Sequence, residues 1–252
     1  MLELDTFQYL VVALAFLAGG LVKGVIGIGL PLVVVPVVAT FTTPIAAIAL
    51  MLVPALSSNV MQARQAGLRR DALQRFWPAV LGVVAGSVLG SSFLSGADSK
   101  TATAILGVVV VLFCLSQLFS ARAPVGPRAE RWFTPLAGSA SGLAGGLTGF
   151  FGLTLVPYLL SLQLAKEEFV ATIAMLYLCG VSALYLNLYL EGALDLPLAL
   201  TSAAASLPTL AGVWLGSLLR RRVSDRVFRR LLVLMLLLIA VNLLRKSLTG
   251  DG

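Results

Sequence analysis

Apolar residues fill this chain in long blocks separated by short polar stretches. Hydrophobic runs occupy about 44–62, 76–95, 101–120, 168–190, 196–219 and 228–248. A helix needs about 20 mostly apolar residues to cross roughly 30 Å of hydrocarbon, so each run predicts one crossing. Two further stretches, 7–39 and 133–161, are too long for one ordinary span. Glycines interrupt both: Gly19, Gly20, Gly24, Gly27 and Gly29 in the first, and Gly138, Gly142, Gly145, Gly146, Gly149 and Gly152 in the second.

The placement of charge decides how these two stretches run. Arg64, Arg69, Arg70 and Arg75 lie in loop 63–75, and Arg122, Arg128 and Arg131 in loop 121–132. Loop 220–230 holds Arg220, Arg221, Arg222, Arg226, Arg229 and Arg230. The excess of basic residues in cytoplasmic loops puts all three inside. Acidic residues fall elsewhere: Glu3 and Asp5 at the start, Glu191 and Asp195 between two later runs. Tracing the chain from these anchors brings 40–43 to the side of the N-terminus, so 7–39 enters and leaves by one face. The same reasoning makes 133–161 return to its own side. A single tilted span in either place would turn the six arginines of 220–230 outward. Each arm of such a hairpin has about 14–16 residues, too few to cross. The expectation is therefore a V-shaped, re-entrant hairpin in each half, with both termini extracytoplasmic in a multi-pass plasma-membrane protein.

Each half is then a hairpin followed by three crossings, and an odd number of crossings inverts the second half relative to the first. Spacings support a duplication. Gly20-x3-Gly24-x2-Gly27 matches Gly142-x3-Gly146-x2-Gly149, and Gly86-x3-Gly90 matches Gly212-x3-Gly216 in the third element of each half; Asp98 and Asp225 follow those pairs. The predicted fold is an all-α integral membrane protein of two inverted repeats. One domain spans 1–252: repeat 1 over 7–120, a cytoplasmic linker over 121–132 and repeat 2 over 133–248.

Composition agrees with lipid as the solvent. The chain is 59% hydrophobic and 12% charged, with a mean hydropathy of +0.99, where soluble domains carry about 25% charged residues. Its net charge of +7 sits in short loops without an aromatic platform, which reads as membrane topology and not as a nucleic-acid surface. The N-terminus lacks the order of a cleaved signal, and Glu3 and Asp5 argue against one. Cys114 and Cys179 stand singly in predicted helices, as packing residues. No histidine is present, so no histidine metal site or general base can form, and no metal or cofactor is expected.

A broken membrane helix frees backbone groups that lipid cannot satisfy, so the break must be buried or line a wet cavity. The arm after each break presents a helix N-terminus, with free N–H groups and a positive dipole end suited to an anion. Gly24, Gly27 and Gly29 in the first hairpin, and Gly146, Gly149 and Gly152 in the second, let a ligand approach the backbone. Lys23 is the one ionisable residue inside a predicted membrane segment, directly at the first break. It either meets an anion or snorkels to an interface. Ser57, Ser58, Asn59 and Gln62 lie in the second element, Ser58 and Gln62 on one face. They either donate to an oxyanion or join helices. Thr148, Thr154 and Tyr158 surround the second break, while Tyr185 and Asn187 read as helix–helix contacts or interface anchors.

All 11 acidic residues fall in loops or at span ends, so a membrane-embedded carboxylate relay is not available. The anion's own charge in the membrane potential, worth about 2.3 kcal/mol per 100 mV, could drive export. No Gly-x4-Gly-Lys-Ser/Thr sequence exists for ATP binding.

Two stretches carry a resemblance. Gly-Leu-Val-Lys-Gly-Val-Ile-Gly-Ile-Gly-Leu-Pro runs from Gly20 to Pro31, with Pro36 following, and Gly-Leu-Thr-Gly-Phe-Phe-Gly-Leu-Thr runs from Gly146 to Thr154. They are similar to the paired glycine-rich signatures of the sulfite exporter TauE/SafE family of membrane permeases, over nearly the whole chain. Leu30, Pro31, Phe151 and Leu153 depart from that pattern and narrow the site. The resemblance implies a secondary transporter, permease or exporter, of a small anion such as sulfite or an organosulfonate. Alternatives are an uptake permease or channel for another small organic anion, and an intramembrane enzyme. The last lacks a histidine or membrane carboxylate to activate Ser57, Ser58 or Thr148, leaving only a Ser–Lys arrangement through Lys23; the chain is read as a non-enzyme whose partners are the anion and lipid.

Overall fold

A computed structural model of the chain describes residues 5–67, 70–119 and 126–219. The run at 228–248, the arginine loop 220–230, Asp225 and Arg122 lie outside the described residues. Those described form ten helices and no strand.

Helix α1 (Thr6–Ile26) starts on a capping box, in which Gln8 N donates to Asp5 Oδ1 at 2.8 Å and Asp5 N to Gln8 Oε1 at 3.1 Å. It stops at Gly27, whose φ of 96° places it in the left-handed region, where a residue without Cβ costs least. Gly29, with φ 117°, completes the turn, and α2 (Leu30–Val38) follows with Pro31 in its first turn. The pattern recurs later. Helix α7 (Pro127–Thr148) ends at Gly149, φ 72°, and α8 (Gly152–Ser161) resumes two residues on.

Both glycine-rich stretches are therefore helix–break–helix pairs, but their arms are unequal. The first arms have 21 and 22 residues and the second 9 and 10, where arms of 14–16 were expected. The left-handed turns fall at Gly27 and Gly149, beyond the midpoint of each stretch, and the earlier glycines stay helical. At 1.5 Å per residue the short arms reach about 14–15 Å, half a hydrocarbon core.

The run at 44–62 is also divided, into α3 (Pro44–Ala49) and α4 (Leu52–Gln65). Pro54 has no N–H for the carbonyl four residues back and crowds it, which interrupts the ladder at Leu50 and Met51. Side chains from the second half complete this interruption. Tyr185 Oη donates to the Ile48 carbonyl at 2.9 Å, and Val53 N donates to Ser202 Oγ at 2.9 Å.

Helices α5 (Arg70–Gly96), α6 (Ser99–Phe119), α9 (Lys166–Leu190) and α10 (Leu196–Leu219) complete the described set. Among the described residues, five stretches are long and apolar enough to cross a membrane: 6–25, 44–65, 71–96, 168–190 and 196–219. Large apolar side chains such as Trp77, Leu81, Phe93, Leu136, Leu207 and Trp214 are exposed on the outside of the bundle. Water would make that surface unfavourable, whereas lipid tails cover it without cost.

Two seams of small residues join the halves. On one side α1 lies on α10, where Cβ atoms at Gly20 and Gly24 would overlap the carbonyls of Thr209 and Val213. On the other α7 lies on α5, where Gly142 and Gly146 meet the carbonyls of Val83 and Ser87 in the same way. Gly216 and Gly90 reciprocate, against Leu21 and Leu143. Close backbone approach of this kind is how membrane helices gain dispersion contact without a hydrophobic driving force.

Candidate functional site

The last turn of α1 carries Lys23 into the centre of the bundle, where it is 2% exposed. Its Nζ donates to Asn59 Oδ1 at 2.6 Å and lies 5.9 Å from the centroid of the Tyr177 ring. Among the described residues no carboxylate pairs with it. The neighbouring groups are an amide oxygen and an aromatic face, which stabilise a cation without neutralising it.

Gln62, one turn beyond Asn59 on α4, secures the break itself. Its Nε2 donates to the Lys23 carbonyl at 3.3 Å and to the Gly27 carbonyl at 3.0 Å, satisfying acceptors at the C-terminal end of α1. Val170 of α9 also packs on Gly27. Tyr177, also on α9, links this break to the second one. Its ring faces Lys23 and also packs on Phe151, centroids 5.8 Å apart, and its hydroxyl lies 2.7 Å from where a Cβ on Gly152 would stand, a place the Phe150 ring fills. Gly152 opens α8, so the N-terminus of that short helix, Tyr177 and Lys23 are contiguous.

The structure brings Lys23, Asn59, Gln62 and Gly27 together, with Tyr177 joining Lys23 to Gly152. Other sequence candidates sit apart from that cluster. Gly24 and Gly146 lie in the α1–α10 and α5–α7 seams, with backbone filling the space beside them. Gly29 faces the Val22 side chain, and Gly149 has Ile48 and Val35 as neighbours at 3.6–3.9 Å. The hydroxyl candidates donate to helix carbonyls: Ser58 to Ala55 at 3.2 Å, Thr148 to Ala144 at 2.7 Å and Thr154 to Ala137 at 2.9 Å. Each would have to give up that bond to donate to a ligand. Thr148 Oγ1 also accepts from Phe150 N at 3.2 Å, which closes the second break. Tyr158 pairs with Thr134 near the start of α7, away from Lys23.

Tyr177 is the residue that sequence reasoning missed. It stands in a mostly apolar helix that also carries Phe169, Tyr185 and Tyr189, where one more aromatic reads as core. A tyrosine about three turns from either end of a membrane helix is the available signal, because its hydroxyl there needs a partner.

Two cavities flank this cluster. One of about 540 Å³ is lined by Tyr9, Ala46, Asp195, Leu196, Leu200 and Thr201. The other, about 500 Å³, is lined by Ala66, Gly67, Asp71, Arg75, Glu168 and Ala171. They lie at opposite ends of both the α3–α4 segment and α9, with Asn59 and Tyr177 between them. At the second cavity Arg75 Nε and Nη2 hold the two oxygens of Glu130 at 2.6 and 3.0 Å, and Glu168 stands 3.7 Å from Nη1.

No curated protein and no solved structure matches the chain. The family model described as Sulfite exporter TauE/SafE matches residues 11–243, a stretch that includes both helix breaks, Lys23, Asn59, Gln62 and Tyr177. Matched over nearly its whole length, and built of apolar helices fit to cross a bilayer several times, the chain belongs to the sulfite exporter TauE/SafE family of membrane transporters.

Proposed function

We propose that this chain is a secondary transporter of a small anion, bound between the two helix breaks near mid-membrane, and that its cargo is a sulfur-containing oxyanion or organosulfonate such as sulfite. The observation that carries the reading is Lys23: a buried ammonium at a break, beside the N-terminus of α8, whose described neighbours supply no counter-charge. An uncompensated charge inside a membrane protein is expensive and marks a substrate or ion path. An anion is the ligand that removes the expense.

In this reading the halves are inverted repeats with re-entrant second arms, the plan many secondary transporters use to place a site at mid-membrane. The supporting facts are equivalent contacts. Gly27 faces Val170 as Gly149 faces Ile48, both pairs shifted by 122 positions; Gly20, Gly24, Thr209 and Val213 correspond to Gly142, Gly146, Val83 and Ser87. The cavities at either end of α9 would be the two approaches to the site. The same reading sets the Gly67 end on the cytoplasmic side of the plasma membrane and both termini outside it, which the concentration of arginines in the short loops supports.

The test is a thermal-shift screen of the purified chain with sulfite, sulfate, thiosulfate, sulfonates and carboxylates, repeated on Lys23→Ala. Stabilisation by one class of anion in the wild type, absent from the variant, supports the reading. Equal stabilisation of both removes Lys23 from the site.

A further inference from the structure

Two buried polar atoms beside Lys23 have no hydrogen-bond partner among the described residues: Gln62 Oε1 and Tyr177 Oη. Polar groups this deeply buried nearly always have one, and an exception calls for a ligand or a water. Gln62 is informative because its orientation is fixed. Its Nε2 donates to the carbonyls of Lys23 and Gly27; turned over, the amide would set its oxygen against two other acceptors. Oε1 is thus held as an acceptor awaiting a donor. Tyr177 Oη differs: it can donate, and it stands at the N-terminus of α8 beside Gly152, where the head of an anion would be received. Charge sets a further limit. Among the described residues Lys23 is the only cation in the cluster, so one negative charge is matched and a second would be left uncompensated.

We propose that Gln62 Oε1 and Tyr177 Oη are the selecting atoms of the central site, and that the site takes a singly charged anion bearing an O–H or N–H group of its own. The anionic head binds Lys23 and the Tyr177 hydroxyl, and the ligand's donor binds Gln62. Hydroxy-substituted sulfonates and carboxylates, and singly protonated oxyanions, have this character; sulfate and fully deprotonated sulfite lack it. The inference rests on the anion-transport reading above and narrows its cargo.

Two matched pairs of ligands test it by calorimetry on the full purified chain: 2-hydroxyethanesulfonate against 1-propanesulfonate, and glycolate against propanoate. Each pair exchanges a hydroxyl for a methyl at nearly constant size. The hydroxylated member of at least one pair should bind about tenfold more tightly, the effect of satisfying one buried acceptor, with sulfate weaker than both. Gln62→Met should abolish the preference. Tyr177→Phe should keep it while weakening both members of the pair by a similar, roughly tenfold, factor. Should Gln62→Met not fold, the wild-type pairs and Tyr177→Phe decide. Equal binding within both pairs, tightest binding of sulfate, or an unaltered Tyr177→Phe overturns this inference and leaves anion transport standing. Absence of saturable binding by any anion overturns both.

Discussion

Lys23 on α1 and Asn59 on α4 meet through a 2.6 Å hydrogen bond in which the ammonium donates to the amide oxygen, both side chains buried. An amide at that position orients the amine while leaving its charge unmatched among the described residues. An aspartate would have been nearly the same size and would have closed an ion pair. The choice of amide over carboxylate leaves the ammonium without an ion-pair partner among the described residues.

Asn59→Asp should therefore remove anion binding while sparing the fold. The new carboxylate would neutralise Lys23 from within, so the affinity for any transported anion should fall at least about tenfold, with thermal stability equal to or above that of the wild type. Anion titration followed by thermal shift reads both quantities. Wild-type affinity in the variant contradicts a role for the Lys23 charge.

The glycine seams make a separate prediction about stability. Side chains at Gly24 or Gly146 would run into the Val213 and Ser87 carbonyls, so Gly24→Val and Gly146→Val must force helices apart. Overpacking of this kind costs about 1–3 kcal/mol. Gly96, with no atom within 4 Å of a Cβ, provides the control, and Gly96→Ala should unfold at the wild-type temperature. Detergent-solubilised unfolding curves would show the contrast, and equal loss at all three sites would contradict the seams.

The interruption between α3 and α4 depends on two side chains from the second half. Tyr185→Phe and Ser202→Ala each remove one partner of a freed backbone group, at about 1 kcal/mol apiece. Unfolding midpoints should fall modestly while anion affinity stays within twofold. A large loss of affinity in either variant would mean that this interruption, and not the Lys23 cluster, meets the ligand.

Membrane sidedness is open to cysteine labelling in a Cys114→Ser, Cys179→Ser background. A cysteine replacing Asp5 and one replacing Thr42 should react from the same, extracytoplasmic face, and one replacing Gly67 only after the membrane is made permeable. Labelling of positions 5 and 42 from opposite faces would remove the re-entrant arm and the inversion with it.

Much of this architecture is written locally in the chain. Glycine spacing locates the breaks, since only a residue without Cβ adopts φ near 96° or 72° easily, and Gly27 and Gly149 do so. Lys23 declares itself as a charge in an apolar segment. What is not local is harder to read. The unequal arms depend on which glycines remain helical, and Gly20, Gly24, Gly142 and Gly146 do so because a partner helix needs their missing side chains. The split at Leu50 depends on Pro54 together with distant Tyr185 and Ser202. Tyr177 becomes visible only when α9 is laid between the breaks, because its neighbours Lys23, Phe151 and Gly152 come from both halves.

The central claim is that an anion crosses by way of the Lys23 charge, and flux at clamped voltage in proteoliposomes measures it directly. Wild-type protein should show saturable uptake of radiolabelled sulfite or of the best-bound sulfonate. Lys23→Met, reconstituted to the same density and equally monodisperse, should show less than about a tenth of that rate, the expected effect of losing one charge-assisted contact. Saturable transport by Lys23→Met at the wild-type rate would contradict the account.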